Sequence, residues 1–185
     1  YGRSRGLGDV YKRQEVFDHV KRTLDIISTS GLIDFIEGGF YRYTVDNEWK
    51  IPHFEKMLYD QAQMISIYSL AYKLFNDEYY KDIVVETIDF LNSKMSSKEG
   101  LYYAAMDADT DGEEGKYYSF SREELDLISK NTDFKTFTSY YNIDINNPWE
   151  DDRYLLLPNK NNFEADWLKS NNCLLYTSPS PRDLP

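Results

Sequence analysis

The chain is poor in cysteine, histidine and basic charge, and each shortage removes a class of function. Among 185 residues there is one cysteine, Cys173. A lone thiol excludes an internal disulfide framework, a CxxC redox pair and a cysteine-built zinc site within this stretch. Two histidines, His19 and His53, are too few for a histidine-rich centre, so neither a metal nor a cofactor is expected. Lys and Arg number 21 against 32 Asp and Glu, for a net charge of −11. Such acidity argues against a nucleic-acid surface, where phosphates must be met by cations. No run of about 18 apolar residues is present, so no transmembrane helix is expected. A cytoplasmic setting, with neither nucleic-acid nor membrane partners, is the corresponding expectation. What the chain does have is a 41% apolar fraction, enough for the core of about one domain at this length.

The two ends differ from the middle. Residues 1–14, YGRSRGLGDVYKRQ, hold three Gly and four basic residues with little hydrophobic period. Residues 173–185, CLLYTSPSPRDLP, hold three Pro amid Ser and Thr. Both read as translated adaptor rather than native protein, and such scars are set aside before a fold is argued; a native tail is the alternative. The remaining 158 residues, 15–172, carry 16 basic and 30 acidic side chains, a net of −14.

Hydrophobic period organises that middle. Val16, Val20, Leu24 and Ile27 predict a helix over 15–30, stopped by Gly31. Gly38-Gly39 followed by Phe40, Tyr41, Arg42 and Tyr43 predicts a short strand or hairpin arm. After a loop closed by Pro52, a long helix is predicted over 53–75, with Leu58, Ala62, Ile65, Ser69 and Tyr72 on one face. A second helix over 78–95 carries Tyr80, Val84, Ile88, Leu91 and Met95. Only Asn76-Asp77 joins the two, so they are expected to form an antiparallel αα-hairpin. Asp107–Gly115 reads as an acidic turn, Lys116–Phe120 as a second short strand, and Ser121 with Glu124 as the capping box of another helix. A weaker helix covers Phe134–Tyr141, and 142–172 reads mostly as loop.

The order of helices and Gly-aromatic arms looks repeat-like, with Gly39-Phe40 echoed by Gly100-Leu101. Helical hairpins with β-arms at one end suggest an all-α fold, a partial (α/α)6 toroid. A helical bundle with two decorated loops fits the same pattern.

Two longer motifs carry a resemblance. Residues 38–60 read GGFYRYTVDNEWKIPHFEKMLYD and residues 107–117 read DADTDGEEGKY. In this order and spacing they resemble the thioredoxin-domain-containing family that includes spermatogenesis-associated protein 20, over roughly 15–128. The resemblance implies an N-terminal thioredoxin-like domain upstream of this chain. It also implies a barrel similar to N-acylglucosamine 2-epimerase and the six-hairpin glycosidases, of which 15–172 would be an incomplete part. Sugar chemistry enters only as an analogy of fold, which does not by itself fix a function.

Several residues can carry chemistry. His53 beside Pro52, at the start of the predicted long helix, would be kept neutral by the helix N-terminus and so suit a general base. Glu55 would sit in the first turn. Asp60 would share a face with His53, Met57 and Met64, about 10 Å from His53 along the axis. A capping histidine without catalytic work is the plainer alternative, and His19, on an amphipathic helix, reads as structural. Asp107, Asp109, Asp111 and Gly112 match the first half of a calcium loop, but the twelfth position is Tyr118 rather than a bidentate Glu. The family likeness puts this acidic hairpin near a barrel mouth. There Asp107, Asp109, Glu113 and Glu114 would bind sugar hydroxyls or supply an acid/base pair. Arg42, Tyr43 and Trp49 would line the same mouth, Arg42 as a fixed cation for an oxyanion.

Two functions follow from this reading. One is a carbohydrate-active enzyme of the epimerase or isomerase kind, with a small sugar-like ligand and His53 as proton carrier. Its weakness is that epimerases of the implied fold rely on two histidines, and His19 is poorly placed to be the second. The other is a non-catalytic barrel supporting or presenting the upstream thioredoxin-like domain. Twelve helices with their loops need more than roughly 200 residues, so a partial ring would leave apolar faces uncovered. The segment 15–172 is therefore expected to melt without a cooperative transition as a monomer in scanning calorimetry.

Overall fold

The computed structural model describes residues 7–129 and 134–157. The tail 173–185 with Cys173, and the loop positions beyond 157, lie outside the described residues. The chain runs α1 (Leu7–Ile27), β1 (Tyr43–Thr44), β2 (Pro52–His53), β3 (Lys56–Met57), α2 (Leu58–Phe75) and α3 (Glu78–Phe90). A π-helical turn, Leu91–Met95, extends α3. Then come β4 (Ala105–Met106), β5 (Asp109–Thr110), β6 (Glu113–Glu114), β7 (Phe120–Ser121), α4 (Arg122–Ser129), α5 (Phe134–Tyr140) and β8 (Arg153–Tyr154). The strands pair antiparallel as β1–β2, β3–β4, β5–β6 and β7–β8. Among the described residues no helix is long and apolar enough to cross a membrane.

The helical hairpin forms as its sequence predicts. Asn76 adopts a left-handed conformation (φ 53°) and returns its N–H to the Tyr72 carbonyl, ending α2. Asp77 caps α3 by accepting the Tyr79 N–H, a side-chain oxygen meeting an orphan backbone donor. The start of α2 (Leu58, Ile65) packs near the end of α3 and its π turn (Phe90, Leu91, Met95), while Ala71 and Phe75 pack near Tyr80 and Ile83. The two helices therefore run antiparallel.

The faces differ from those the period implies. On α2 the fully buried residues are Gln61, Tyr68 and Ala71, while Ala62 and Ser69 are exposed. On α3 they are Tyr80, Ile83, Thr87 and Phe90, and Ile88 is exposed. Polar Gln61 and Thr87 occupy core positions that a hydrophobic count assigns to their neighbours. Gln61 is buried because its side-chain amide behaves as a strand: its Oε1 accepts the Phe40 N–H and its Nε2 donates to the Phe40 carbonyl, both at 2.7 Å. In the π turn Leu91 and Met95, four residues apart, are both buried.

The all-α toroid is overturned: the fold is mixed, with small antiparallel hairpins between helices and no ring of helix pairs among the described residues. The Gly-aromatic arms are not decoration. Tyr41, Phe54, Ala108 and Tyr118 form one apolar cluster; Phe120, Leu125, Phe137, Tyr140, Tyr141, Tyr154 and Leu156 form another. These aromatics build cores of their own, and α4 and α5, with 8 and 7 residues, are too short to be rods of a toroid. The repeat also dissolves. Gly39 is buried against the Phe90 ring, where a Cβ would come within 2.5 Å, whereas Gly100 has open space around it and Leu101 is exposed. The grounds for a weak melt now lie in exposed apolar side chains such as Leu70, Leu74, Val85 and Leu127.

The second correction concerns 53–57, which is extended rather than helical, with β2 ending at His53 and β3 starting at Lys56. Burial alternates strictly from Pro52 to Met57: Pro52, Phe54 and Lys56 point inward, His53, Glu55 and Met57 outward, the period of two that a strand imposes. Proline is tolerated because β1–β2 is a two-stranded ladder with Thr44 opposite Pro52. Lys56 is the exceptional member, fully buried on the apolar side. Its Nζ donates to Asp34 Oδ2 at 2.8 Å and to the Gly38 carbonyl at 2.9 Å, beneath the rings of Phe90, Tyr41 and Tyr118 at 4.2, 5.0 and 5.1 Å. Removing one partner of a buried ion pair strands the other charge. Lys56→Met is expected to lower unfolding stability by about 3–5 kcal/mol in urea titrations, and adding Asp34→Asn should recover part of that loss.

Candidate functional site

The alternation that buries Phe54 and Lys56 sends His53 and Glu55 to the same outer face. β1 lies alongside, with Tyr43 opposite His53 in the ladder. Their rings stack at 4.9 Å between centroids. Arg42, just before β1, donates its backbone N–H to the Glu55 carbonyl and its Nη1 to Glu55 Oε2, both at 2.9 Å. Glu55 Oε2 also stands 3.7 Å from His53 Nε2.

The acidic hairpin supplies the other flank. β5 and β6 are joined by Asp111-Gly112, both with positive φ (56° and 82°), the conformation that favours Asp-Gly in tight hairpins. Gly115, immediately after β6, packs on Phe54 so closely that a Cβ would lie 2.4 Å from its ring. Glycine is required there for contact as well as for its φ of 71°. Because Gly115 abuts Phe54, its neighbour Glu114 reaches the neighbour of Phe54. Glu114 Oε1 lies 2.7 Å from His53 Nδ1.

That contact sets the tautomer. An ionised carboxylate only accepts hydrogen bonds, so a proton belongs on Nδ1, and Nε2 is the nitrogen turned toward Glu55. A carboxylate that orients imidazole in this way is the arrangement of many histidine bases. The helix-terminus argument for a neutral His53 falls, since His53 lies in β2 and Glu55 between β2 and β3. The expected 10 Å axial spacing to Asp60 falls with it.

Asp60 lies in the first turn of α2. Its Oδ2 is buried without a hydrogen-bond partner among the described residues. Burial pushes its carboxyl above the ordinary carboxylate range, with Arg42 opposing and Glu55 adding to the shift. Arg42 also interacts with the Tyr59 phenol, the leading cause of its raised basicity. Tyr59 was not among the residues singled out from sequence, and its only signal there was adjacency to Asp60.

The structure thus brings together Arg42, Tyr43, His53, Glu55, Asp60 and Glu114. Of the other candidates Asp109 stands beside Glu114, and the rest go elsewhere. Glu113 pairs with Lys116 at 3.1 Å, and Asp107 Oδ1 accepts the Asp109 N–H within its own turn. Asp109 sits opposite Glu114 in the β5–β6 ladder and is exposed. Trp49 serves through its backbone, its carbonyl accepting the Gly31 N–H at 2.7 Å. His19 is exposed on α1. No group of three or more His, Cys, Asp or Glu is arranged to hold a metal among the described residues. A cavity of about 30 Å³ lies on the inner side of the strand, lined by Asp34, Tyr41, Phe54, Tyr118 and others. It has room for about one water, and His53 does not line it.

No family model matches the chain. Homologues named spermatogenesis-associated protein 20 do match about half of it. The human protein is 39% identical over 112 residues, 57% of this chain and 14% of its own length. The mouse protein is 38% identical over 112 residues, with the same shares. An uncharacterized protein of Caenorhabditis elegans is 37% identical over 115 residues, 57% of this chain and 16% of its own. The chain therefore spans about 14% of the length of the human and mouse relatives it matches.

The raised Asp60 carboxyl has a thermodynamic consequence. Between its ordinary and its raised value the native state holds a proton that the unfolded chain has released, so stability falls as pH rises through that window. Asp60→Asn lacks this loss. Thermal melts of both proteins across pH 4 to 7 should show the variant gaining on the wild type as pH rises.

Proposed function

We propose that this segment carries a proton-transfer site acting on a small sugar-like carbonyl compound, in the manner of an epimerase or isomerase. The observation that carries the reading is the 2.7 Å contact between Glu114 and His53 Nδ1. Glu114 holds the Nδ1 proton and steadies the ring, and Tyr43 stacks on its face. Nε2 then takes the proton from a carbon next to the carbonyl. The charge that develops on the carbonyl oxygen needs a cation, and Arg42 stands on the Nε2 side, bound to Glu55. Guanidinium has five N–H donors in a rigid fork, so one carboxylate does not exhaust it. Stabilising an enolate in this way is electrostatic catalysis by a group fixed beforehand. The likeness to spermatogenesis-associated protein 20 supplies no reaction; the proton transfer is argued from the residues, and the sugar-like substrate from the analogy of fold that the resemblance implies.

A second reading draws on the short span of the match to longer relatives and on the exposed apolar side chains of α2 and α3. In it the segment is a non-catalytic support for a thioredoxin-like domain elsewhere in a longer protein.

Incubation of the chain with N-acylhexosamines in deuterated water separates the two. Deuterium is expected at the carbon next to the carbonyl, with incorporation falling about 10²–10⁴-fold in His53→Ala and less steeply in Glu114→Gln, which keeps the ring but loosens it. Absent label, or label unchanged in His53→Ala, overturns the enzymatic reading. Redox turnover that depends on this segment would then favour the support.

A further inference from the structure

The site described above has one base, and inversion at carbon needs a second group to return a proton. We infer that Asp60 is that second group, the neutral acid that donates to the carbanionic carbon after His53 has taken its proton. The inference rests on the proton-transfer reading and adds the partner that a single histidine lacks.

The argument begins with the unsatisfied oxygen. Asp60 Oδ2 has no accessible surface and no donor among the described residues. A carboxylate left so would keep charge on an oxygen that neither water nor protein solvates, which costs several-fold more than an unpaired neutral carbonyl. The neutral acid avoids this: Oδ2 becomes the carbonyl oxygen and the proton rides on Oδ1. Asp60 is half-buried overall, so Oδ1 is the oxygen left to meet a ligand. The surroundings agree. Burial outweighs Arg42, the nearby cation that favours ionisation, and Glu55 adds negative charge beside Asp60. Two carboxyls close together in unlike settings divide their roles: Glu55 accepts from Arg42, and Asp60, whose Oδ2 has no donor among the described residues, holds the proton.

The step balances. The substrate C–H bond breaks toward His53 Nε2 and leaves an enolate. The Asp60 O–H bond breaks and a new C–H bond forms on the same carbon. The imidazolium then loses its extra proton to water and Asp60 regains one, so nothing is oxidised or reduced. A substrate of this kind is neutral or cationic, since Glu55, Glu114 and the ionised product state of Asp60 repel an anion.

Two-base inversion has an isotopic signature. In deuterated water, Asp60→Asn should lower epimer formation at least about 100-fold while label still washes into recovered substrate through His53. Asp60→Glu should restore part of the inversion. Independently of turnover, the Asp60 carboxyl carbon in the wild-type chain, followed by NMR, should titrate above the ordinary 3.8. Epimer formation at the wild-type rate in Asp60→Asn, with exchange still lost in His53→Ala, overturns this inference and leaves the histidine reading standing. A carboxyl titrating at or below 3.8 overturns it as well. Absence of exchange in every variant removes both.

Discussion

A charge is buried at the centre of this structure, and the surrounding architecture answers to it. Taking an ammonium and a carboxylate out of water costs several kcal/mol each, so Lys56 and Asp34 coexist only because every neighbour contributes. Asp34 spends its second oxygen on the backbone N–H groups of Ile36 and Glu37, which folds the 34–39 loop. Its own N–H is answered by the Gly39 carbonyl. Phe90 brings α3 to the same point, Tyr41 the β1 arm and Tyr118 the segment after β6. Four parts of the chain are registered against one ammonium group.

That register gives the short strand its two faces. The inner face is core; the outer face carries imidazole and carboxylate. The direction of His53 therefore follows from the burial of Phe54 and Lys56 rather than from any interaction of its own. The same holds for Arg42. Its backbone bond to Glu55 fixes where the guanidinium starts, and the side-chain pair follows. Residues that look like a polar surface cluster are held by the apolar side of the same six-residue stretch.

How much of this could be read in the sequence depends on what each element answers to. The Asn76-Asp77 link and the Ser121–Glu124 box are local chemistry, and both form: Glu124 Oε2 accepts the Ser121 N–H at 2.7 Å, and Ser121 Oγ accepts that of Glu124 at 3.2 Å. The acidic turn was legible for the same reason. The extended stretch 52–57 was not, because lysine stands where the alternation calls for an apolar residue, and only a carboxylate 22 positions earlier makes that tolerable. The helix faces were rotated because Gln61 and Thr87 are satisfied by partners that period cannot see, Phe40 in one case and the Ile83 carbonyl in the other. Of the site, residue types were legible and pairings were not. His53, Arg42, Asp60 and Glu114 stood out as ionisable groups in dense motifs, but nothing in the spacing joins position 53 to position 114. The toroid failed because it was argued from the order of elements, while the aromatic side chains between the helices decide what packs on what.

The contact between Gly115 and Phe54 has one more implication. The reach from Glu114 to the imidazole is gauged by an aromatic ring lying under a bare backbone as well as by the hydrogen bond between the two polar groups. Dispersion forces do not respond to ionic strength, whereas surface charge pairs fade with added salt. The alignment of acid and ring should accordingly persist in brine that dissolves the ion pairs around it.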